Sequence, residues 1–448
     1  MDQSGSSRPL LLALLHHDYA ARDFLESGTL SHLSRQFDLW FIVTKDLKFD
    51  VTTLGRIAGH HSMSWTRMRL WEMAFGLTHL RSLDPLIKTQ DNRYRVFQRG
   101  TSRSVKWAVF KLHAWRLGSP VIWLLKKILC ATVPDFVQVP VKPSVALLPT
   151  GIKDPTWDDT VSYCKRRGIP SLTVTINWDN IAHKVFLQEP DQLGVWGEQG
   201  YLFARLFQRI PVKNIVTIGM PRFEAYRSAR ISKLEAKRKM GLPEKSRVIL
   251  FAGSGVAFDE VSLVEKFEQA VTAADLPADL YMLYKPHPLR HPRAGEPALR
   301  PEHYRCVKVV ATTGLTPLAD YPILLQACDG LITPMSTMLL EGALMGLPSM
   351  GLVYDSSAHG DYSWRNVLDN NHLHPVVNSS WHTLCTSLDD FLPAVHRLLS
   401  LMGRPEVSAA AQSTVKFILH DDDRPYAIRL GEALSELAGK NCSEVGRG

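Results

Sequence analysis

Short apolar runs alternate along the chain with longer stretches in which apolar residues recur at helical spacing. This alternation predicts β-strands joined by helices, and therefore a parallel sheet covered by helices. The first set of predicted strands covers 10–15, 39–43, 145–149, 172–176, 193–196 and 215–218. The second set covers 248–252, 281–284, 307–310, 330–333 and 349–353. Each set can form one doubly wound sheet, so we expect an α/β protein with two Rossmann-like domains.

The boundary between the two sets falls in a charged helical stretch. Residues 229–246 read ARISKLEAKRKMGLPEKS, and we expect this helix to end at Gly241 and Pro243. A new strand follows directly, whereas after about residue 385 the pattern is helical without strands. We therefore predict one domain over 1–222, a second over 223–385, and C-terminal helices over 386–448 that pack across both.

Length and composition narrow the class of protein. A chain of 448 residues suits two domains, and 45% hydrophobic with 21% charged residues suits a soluble globular protein. The net charge of +8 favours an anionic partner. The sequence has no zinc-finger spacing, basic zipper or aromatic ribonucleoprotein signature, which argues against nucleic acid. Its six cysteines are scattered without a CxxC pair, which indicates a reducing compartment.

Two apolar segments bear on membranes. The run 10–15 is too short for a secretory signal, and no run reaches the roughly 20 apolar residues of a spanning helix, so we expect a cytoplasmic protein. The segment 103–130 combines basic and bulky apolar residues, with Val105, Val109 and Leu112 at helical spacing. This pattern favours an amphipathic helix packed on its own domain. The alternative is an interfacial helix on the inner face of the cytoplasmic membrane.

Two turns of the second half carry groups that suit a phosphate. Gly253-Ser254-Gly255 follows the strand 248–252, and a Gly-rich turn between strand and helix lets backbone N–H groups approach a phosphate closely. A tight turn without a ligand is the alternative. Lys285 and His287 follow the next strand in the sequence Lys-Pro-His-Pro, which ends at Pro288, and the prolines fix this loop.

A third turn follows the strand 330–333. Ser336 and Thr337 suit the start of the next helix, whose N-terminal N–H groups form an anion site, and Glu341 is placed to reach ribose hydroxyls. An ordinary capped helix with an exposed Glu is the alternative. Because the three turns follow strands of one predicted sheet, we expect them at one edge of it.

Polar residues also follow the strands of the first half. The strand 172–176 precedes a dense polar group, which argues for a site: Asn177, Trp178, Asp179, Asn180 and Lys184. Asp179 suits a general base and equally the cap of a helix. Asp154 follows the strand 145–149 and is the better candidate for the base. His16, His17 and Asp18 follow the first strand and suggest a metal site, but no further ligands complete it, so we predict no metal.

The order of these motifs resembles that of bacterial GT-B glycosyltransferases of capsule and lipopolysaccharide assembly. The resemblance covers roughly 145–355 and rests on five motifs: Trp178-Asp179-Asn180 with Lys184, Val195–Glu198, Gly219–Phe223, Lys285–Pro288, and Ser336-Thr337 with Glu341. It implies two domains that face a central cleft. The histidine-proline motif is shared with polysialyltransferases and with β-Kdo transferases that use CMP-sugars, and CDP-glycerol phosphotransferases resemble the same half.

The resemblance implies a role for each group of residues. The second domain would hold the nucleotide-sugar donor through its three turns: Gly253, Ser254, Gly255, Lys285, His287, Pro288, Ser336, Thr337 and Glu341. The first domain would hold a glycan or lipid-linked acceptor through Asp18, Asn177, Trp178, Asn180 and Lys184. Asp154, Asp179 and His287 are the catalytic candidates. Transfer would need no cofactor, and no DxD motif ends a strand of the donor half, which suits metal-free chemistry.

Other functions remain open on the same scaffold. A CDP-alditol phosphotransferase or a nucleotide-sugar epimerase would use similar turns. A non-catalytic partner of a polysaccharide assembly complex would use the basic segment 103–130 to dock and would bind no nucleotide.

Overall fold

The computed structural model describes residues 8–81, 118–228, 231–255, 258–288, 299–310, 314–355, 364–420 and 422–445. Within it the chain forms two compact units. Residues 1–222 together with 418–448 form the first unit, and residues 223–417 form the second. Of the helices expected over 386–448, Phe391–Leu401 belongs to the second unit and Tyr426–Val445 to the first. The N-terminal part of the segment 103–130 lies outside the described residues.

The sheet of the first unit has seven parallel strands in the order β3-β2-β1-β4-β5-β6-β7. Its strands are β1 Leu10–Leu15, β2 Asp38–Val43, β3 Arg56–His60, β4 Val145–Thr150, β5 Ser171–Thr175, β6 Gln192–Val195 and β7 Ile215–Thr217. The six predicted strands of this half are confirmed. The edge strand β3 was not predicted, because its sequence RIAGH lacks a continuous apolar run.

The sheet of the second unit has six parallel strands in the order β10-β9-β8-β11-β12-β13. Its strands are β8 Arg247–Ala252, β9 Leu280–Lys285, β10 Val307–Val309, β11 Gly330–Thr333, β12 Ser349–Leu352 and β13 His382–Cys385. The five predicted strands are confirmed, and β13 is an addition. Two parallel-sheet α/β domains are therefore present, as the alternation of strands and helices predicted.

Helices connect the strands in both units. Those of the first unit are Asp18–Glu26, Thr29–Leu33, Trp65–Arg81, Gly118–Ala131, Pro155–Arg167, Asn180–His183, Glu198–Leu206 and Tyr426–Val445. Those of the second are Ala225–Ser228, Lys233–Lys239, Glu260–Thr272, Asp320–Gln326, Met338–Leu344, His374–Val377, Phe391–Leu401 and Pro405–Ile418, the last of which ends at the boundary between the units. Among the described residues, no helix combines the length and the apolar character that crossing a membrane requires.

The C-terminal segment explains two glycines of the predicted motifs. Gly219 has a φ of +84°, and a Cβ there would lie 2.9 Å from the guanidinium of Arg429, which donates to the Ile218 carbonyl. A Cβ on Gly197 would meet the carbonyl oxygen of Ile418 at 2.5 Å. Both glycines thus make room for the segment that brings the helix Tyr426–Val445 onto the first sheet.

The direction of strand order reverses once in each sheet. In the first unit the reversal lies between β1 and β4, and in the second between β8 and β11. Connections leave in opposite directions at such a point and open a crevice beyond the carboxyl ends of the two strands. Each unit therefore has one position at which the fold itself prepares a binding site.

The strand β13 gives the fold a pH-dependent element in His382. Burial lowers the pKa of this histidine to about 3, and its Nδ1 lies 2.7 Å from Ser349 Oγ. In the unfolded chain the pKa is near 6.5, so between these values the unfolded state takes up a proton that the native state excludes. We expect the free energy of unfolding to fall by as much as about 1.4 kcal/mol per pH unit below about pH 6.5 from this group.

Urea unfolding at about pH 7 and about pH 5 would measure this effect. The His382→Gln variant keeps a polar side chain beside Ser349 but cannot titrate in this range, so its stability should depend less on pH. Equal pH dependence in the two proteins would show that the buried histidine contributes nothing to it.

Candidate active site

The crevice of the first unit holds two histidines and one aspartate. His16 and His17 follow β1, and Asp154 follows β4, on the two strands between which the order reverses. Oδ2 of Asp154 lies 2.5 Å from His16 Nε2 and 3.3 Å from His17 Nε2. The predicted base Asp154 therefore does not act alone, because it is joined to residues that lie 138 and 137 positions earlier in the chain.

Local structure fixes the orientation of Asp154. It occupies the N-cap of the helix Pro155–Arg167, where its Oδ1 accepts a hydrogen bond from the backbone N–H of Trp157 at 3.1 Å. Proline at the first helical position favours a helix start at this point. The cap fixes one carboxylate oxygen and leaves the other to the two histidines, so the side chain has no freedom to turn away from them.

The protonation of this cluster follows from its burial. Burial alone would raise the pKa of Asp154, but its interactions with His16, followed by those with His17, outweigh burial and lower the pKa. Burial lowers the pKa of His16, only partly offset by Asp154, and among the described residues its Nδ1 has no hydrogen-bond partner. Neutral His16 thus donates from Nε2 to ionised Asp154.

His17 is the member of the cluster that solvent and ligands can reach. Its side chain is 43% exposed, against 3% for His16 and for Asp154. When its Nε2–H points to Asp154, the lone pair of Nδ1 is left to accept a proton. A carboxylate that fixes the tautomer of a histidine and stabilises its protonated form is the arrangement of a general base. The catalytic role of Asp154 stays a prediction, and His17 is the neighbouring group of the cluster that a ligand can reach.

The same three residues are a candidate metal site by distance, since their ligand atoms all lie within 4.8 Å of one another. The separation of 2.5 Å between His16 Nε2 and Asp154 Oδ2 is that of a hydrogen bond. Two ligands at about 2.1 Å from a tetrahedral zinc ion would lie about 3.4 Å apart. A metal-bound histidine also donates from its second nitrogen as a rule, and His16 Nδ1 has no such acceptor among the described residues. The geometry favours an acid–base cluster.

The polar group after β5 is largely engaged within its own unit. Lys184 Nζ donates to the carbonyl of Gly151 at 2.7 Å, which brings it to the loop that leads to Asp154. Asn180 Oδ1 accepts from the backbone N–H of Asn177 at 3.1 Å, and Trp178 Nε1 donates to Gln199 Oε1 at 2.7 Å. Trp178 and Asn180 are buried, so their described contacts shape the loop, and Lys184 is the member nearest to the crevice.

Asp18 and Asp179, two further carboxylates predicted for the site, contact neighbouring groups. Asp18 Oδ1 accepts from the backbone N–H of Lys48 at 3.0 Å, which ties the start of its helix to the loop after β2. Asp179 precedes the helix Asn180–His183 but makes no side-chain cap bond there, and Asn180 Nδ2 approaches its Oδ1 at 3.5 Å. The capping role that the sequence allowed for Asp179 is therefore not formed. Its catalytic role stays a prediction.

The Gly219–Phe223 motif has a structural partner that sequence reasoning missed. Arg222 donates from Nε to Oδ2 of Asp23 at 2.9 Å and from Nη2 to the carbonyl of Ile176 at 3.2 Å. Arg22 binds the other oxygen of the same carboxylate at 2.7 Å. Asp23 is fully buried between the two guanidinium groups. This network joins the first helix, the end of β5 and the end of the first unit beside the crevice.

In the second unit, the three predicted turns end adjacent parallel strands. β9, β8 and β11 are neighbours in the sheet, so Lys285–Pro288, Gly253–Gly255 and Ser336 follow strands whose carboxyl ends share one edge. The first two turns are in contact, because a Cβ on Gly255 would lie 2.9 Å from Cε1 and 3.0 Å from Nδ1 of His287. The expectation of a common edge is confirmed.

His287 and Lys285 differ in their access to a ligand. His287 is half-buried, and burial together with the charge of Lys285 lowers its pKa, so at neutral pH it is an uncharged donor. Lys285 is buried, with its ammonium 5.1 Å from the ring centroid of Tyr321. Pro288 forms the turn that follows. The imidazole is thus partly exposed beside Gly255, and Lys285 places a positive charge in the same loop.

A buried glutamate that sequence reasoning missed organises the glycine turn. Glu260 accepts from the backbone N–H of Ser254 at 2.8 Å through one oxygen and from the hydroxyl of Tyr284 at 2.5 Å through the other. It has no exposed surface, and a Cβ on Gly253 would collide with its carboxylate. Gly253 is therefore needed because of the close approach of Glu260, and Ser254 N–H is turned toward the protein.

The third turn is built differently from the expectation. Ser336 Oγ lies 2.8 Å from Thr333 Oγ1 and accepts from the backbone N–H of Met338 at 3.3 Å, while Thr337 makes no side-chain cap bond. Glu341 is buried and accepts a hydrogen bond from the hydroxyl of Tyr226. One oxygen of Glu341 is therefore engaged within the unit. Its contact with a ribose stays a prediction.

Comparisons with known proteins agree with this fold. No protein-family profile matches the chain. A sequence relative is the teichoic acid glycerol-phosphate primase of Bacillus spizizenii, which is 28% identical over 169 residues; the match covers 38% of this chain and 42% of the primase. The chain thus matches less than half of that relative's length.

Two solved structures are similar over nearly their whole length. One is a putative UDP-N-acetylglucosamine 2-epimerase from Listeria monocytogenes, with 10% identity, a TM-score of 0.54 and 96% of each chain covered. Another is CalG4, the calicheamicin glycosyltransferase, with 11% identity, a TM-score of 0.52, and 97% of this chain and 99% of that one covered. The chain therefore has the two-domain α/β architecture of GT-B glycosyltransferases.

Proposed function

We propose that this protein transfers a group from a nucleotide-activated donor to a hydroxyl of a growing cell-surface glycan. The His16–His17–Asp154 cluster is the observation that carries the proposal. It is placed at the strand-order reversal of the first sheet, where acceptor chemistry needs a base. In the second unit, His287 contacts the turn after β8, a strand at the reversal of that sheet, and Lys285 lies in the same loop as His287; a donor phosphate needs such positive and N–H groups.

In the first step, His17 takes the proton from the acceptor hydroxyl as the hydroxyl attacks the donor. Asp154 accepts from Nε2 of His17 and stabilises the imidazolium that forms, while neutral His16 holds the second lone pair of the same oxygen. The distance of 3.3 Å from His17 to Asp154 suits a hydrogen bond that tightens when substrate binds. Lys184, held at Gly151, adds a cation beside the acceptor.

On the donor side the leaving nucleotide phosphate gains negative charge as the bond breaks. His287 donates an N–H to a phosphate oxygen, and Lys285 supplies the nearby positive charge. Gly255 lies against the imidazole, which leaves the phosphate room to approach both the backbone and the ring. Ser336 extends the same edge from the end of β11. We propose this step without a metal ion, since His287 and Lys285 provide the electrostatic stabilisation.

Two groups are candidates for transfer, and both are carried by cytidine nucleotides. The Lys285–Pro288 motif favours a CMP-sugar such as CMP-Kdo, for capsule or lipopolysaccharide synthesis. The 28% match to a glycerol-phosphate primase favours a CDP-alditol donor instead. A nucleotide-sugar epimerase, like the Listeria fold relative, is separated from both by incubation without acceptor. An epimerase converts the sugar alone, whereas a transferase needs an acceptor.

We expect cytidine nucleotides to raise the melting temperature of the protein by several degrees and guanosine or uridine nucleotides to raise it less. A ligand at about 100 times its Kd stabilises the native state by about 2.7 kcal/mol, provided that it does not bind the unfolded chain. A thermal-shift panel of CMP, CDP, UDP and GDP measures this directly. If no nucleotide shifts the melting temperature, the protein is a non-catalytic partner rather than a transferase.

A further inference from the structure

Two helices of the first unit pack on each other through a small core of their own. Trp71 and Phe75 of the helix Trp65–Arg81 meet Ile122, Leu125 and Leu129 of the helix Gly118–Ala131. Positions 122, 125 and 129 recur at helical spacing and form the buried face of the second helix. This packing buries one side of the helix Gly118–Ala131, and the opposite side takes no part in it.

That opposite side is apolar as well. We call Val121, Trp123, Leu124 and Ile128 the outer face; Trp123 is 61% exposed and Leu124 52%. The neighbouring helix adds the exposed side chains of Trp65 and Met73, so these two helices carry six of the twelve large apolar side chains that are exposed among the described residues. Such concentration marks an interaction surface, because single exposed apolar residues are normally scattered.

Basic residues accompany the exposed aromatic rings. Lys127 Nζ lies 5.7 Å from the ring centroid of Trp123, and the guanidinium of Arg69, which also pairs with Glu72, lies 5.5 Å from that of Trp65. The sequence that links the two helices, 82–117, carries eight Lys and Arg residues against two Asp and no Glu. Tryptophan and lysine side chains with apolar bodies and polar ends suit the headgroup region of a bilayer.

We propose that the outer face docks the protein on the surface of an anionic phospholipid bilayer. The helix would lie in the plane of the interface, with Trp123 and Leu124 inserted at the boundary between headgroups and acyl chains. Lys127 would reach the phosphate groups. Apolar area and positive charge act together in this mode of binding. The outer face supplies the apolar area, and Lys127 beside Trp123 supplies positive charge.

The helix pair that carries the outer face contacts the helix that Asp154 caps. Trp71 Nε1 donates to Asp158 at 2.7 Å, and Arg67 binds Asp159 and donates to the Leu129 carbonyl at 2.8 Å. Asp158 and Asp159 lie on the helix that Asp154 caps. The helix pair thus stands on the first turns of the helix that carries the site. Given the proposed function, the acceptor is a lipid-linked glycan held at the bilayer surface.

Flotation of the full chain with vesicles tests the docking surface. The vesicles are phosphatidylcholine alone, or phosphatidylcholine with about 30% phosphatidylglycerol, at low and high salt. We expect binding to the anionic vesicles that salt weakens. The double variant Trp123→Ser/Leu124→Ser should bind at least about 10-fold less, since binding of the wild type removes two large apolar side chains from water. The control Leu206→Ser changes a leucine on another helix of the unit that is 66% exposed, more than Leu124, and it should bind like the wild type.

Three results would overturn the docking proposal. They are absence of vesicle binding by the wild type, equal binding by the double variant, and a lipid-free dimer that the double variant abolishes, which would make a second copy the occupant. Melting without lipid checks that the variants fold. The nucleotide-induced thermal shift separates the two proposals: vesicle binding without any shift refutes the transferase but not the docking surface.

Discussion

Replacing Asp154 by Asn is expected to lower the turnover number by a factor of about 10²–10⁴, the range that a positioned acid–base group contributes. Asn keeps the N-cap bond to Trp157 because it caps helices as well as Asp does. It removes the negative charge that faces Nε2 of His17 at 3.3 Å and that the proposed mechanism requires. Steady-state kinetics with a soluble acceptor would measure the loss, and nucleotide titration should show donor binding close to that of the wild type.

Two controls separate this role from others. Asp50→Asn removes an exposed aspartate of the same unit that binds only Thr52 among its described contacts, and it should leave turnover unchanged. The wild type should also keep its activity in EDTA, whereas loss of activity there would make Asp154 a metal ligand. If donor affinity and turnover fall together in Asp154→Asn, the carboxylate has a structural role and the base lies elsewhere.

The architecture could be predicted because its signals are local. Most of the predicted strands contain a short apolar run, as in LLLALL of β1 and RVILFA of β8, and strands of one parallel sheet place their following turns at one edge. This rule was sufficient to predict that the turns at Gly253, His287 and Ser336 lie at a common edge. The strands β3 and β13 were not predicted, because their sequences RIAGH and HTLC lack an apolar run. Their strand character comes from pairing with β2 and β12.

The chemistry within the site was less accessible, because it depends on pairs distant in sequence. The His-His-Asp sequence after β1 suggests a metal motif. Its third residue, Asp18, accepts from the backbone of Lys48 instead, and the carboxylate that contacts the histidines is that of Asp154. Glu260 had no signal beyond its place in a helix start, yet it fixes Ser254. The role of a buried carboxylate depends on the hydrogen-bond donors that the fold places beside it, and the sequence alone does not show which donors these are.

Burial also bears on the role that the sequence predicts for Asp154. The position of Asp154 after a buried strand was a sound reason to expect chemistry there. The sequence could not show that the side chain is 3% exposed and that its pKa is lowered, which makes a carboxylate a weak proton acceptor and a good partner for an imidazole. In the proposed mechanism the proton is therefore accepted by His17, which lies 3.3 Å from Asp154.

Replacing His287 by Ala is expected to abolish transfer to within the limits of a typical assay, a fall of about 10²–10³ or more in turnover, while the fold stays intact. The imidazole is half-buried beside Gly255 and neutral because burial and Lys285 lower its pKa. A neutral ring donates one N–H bond to the leaving phosphate, and Ala offers none. Turnover with the best nucleotide donor would measure the loss, and a melting curve would check the fold.

The control His303→Ala removes an exposed histidine of the same unit and should behave like the wild type. Gly255→Ala provides a second, independent test, because its Cβ would lie about 3 Å from the His287 ring and must displace it. If the contact between turn and ring positions the donor phosphate, this variant should lose turnover although His287 is present. Unchanged turnover in His287→Ala would remove the histidine from the site, and the Lys285 charge with the backbone N–H groups would then have to stabilise the leaving phosphate alone.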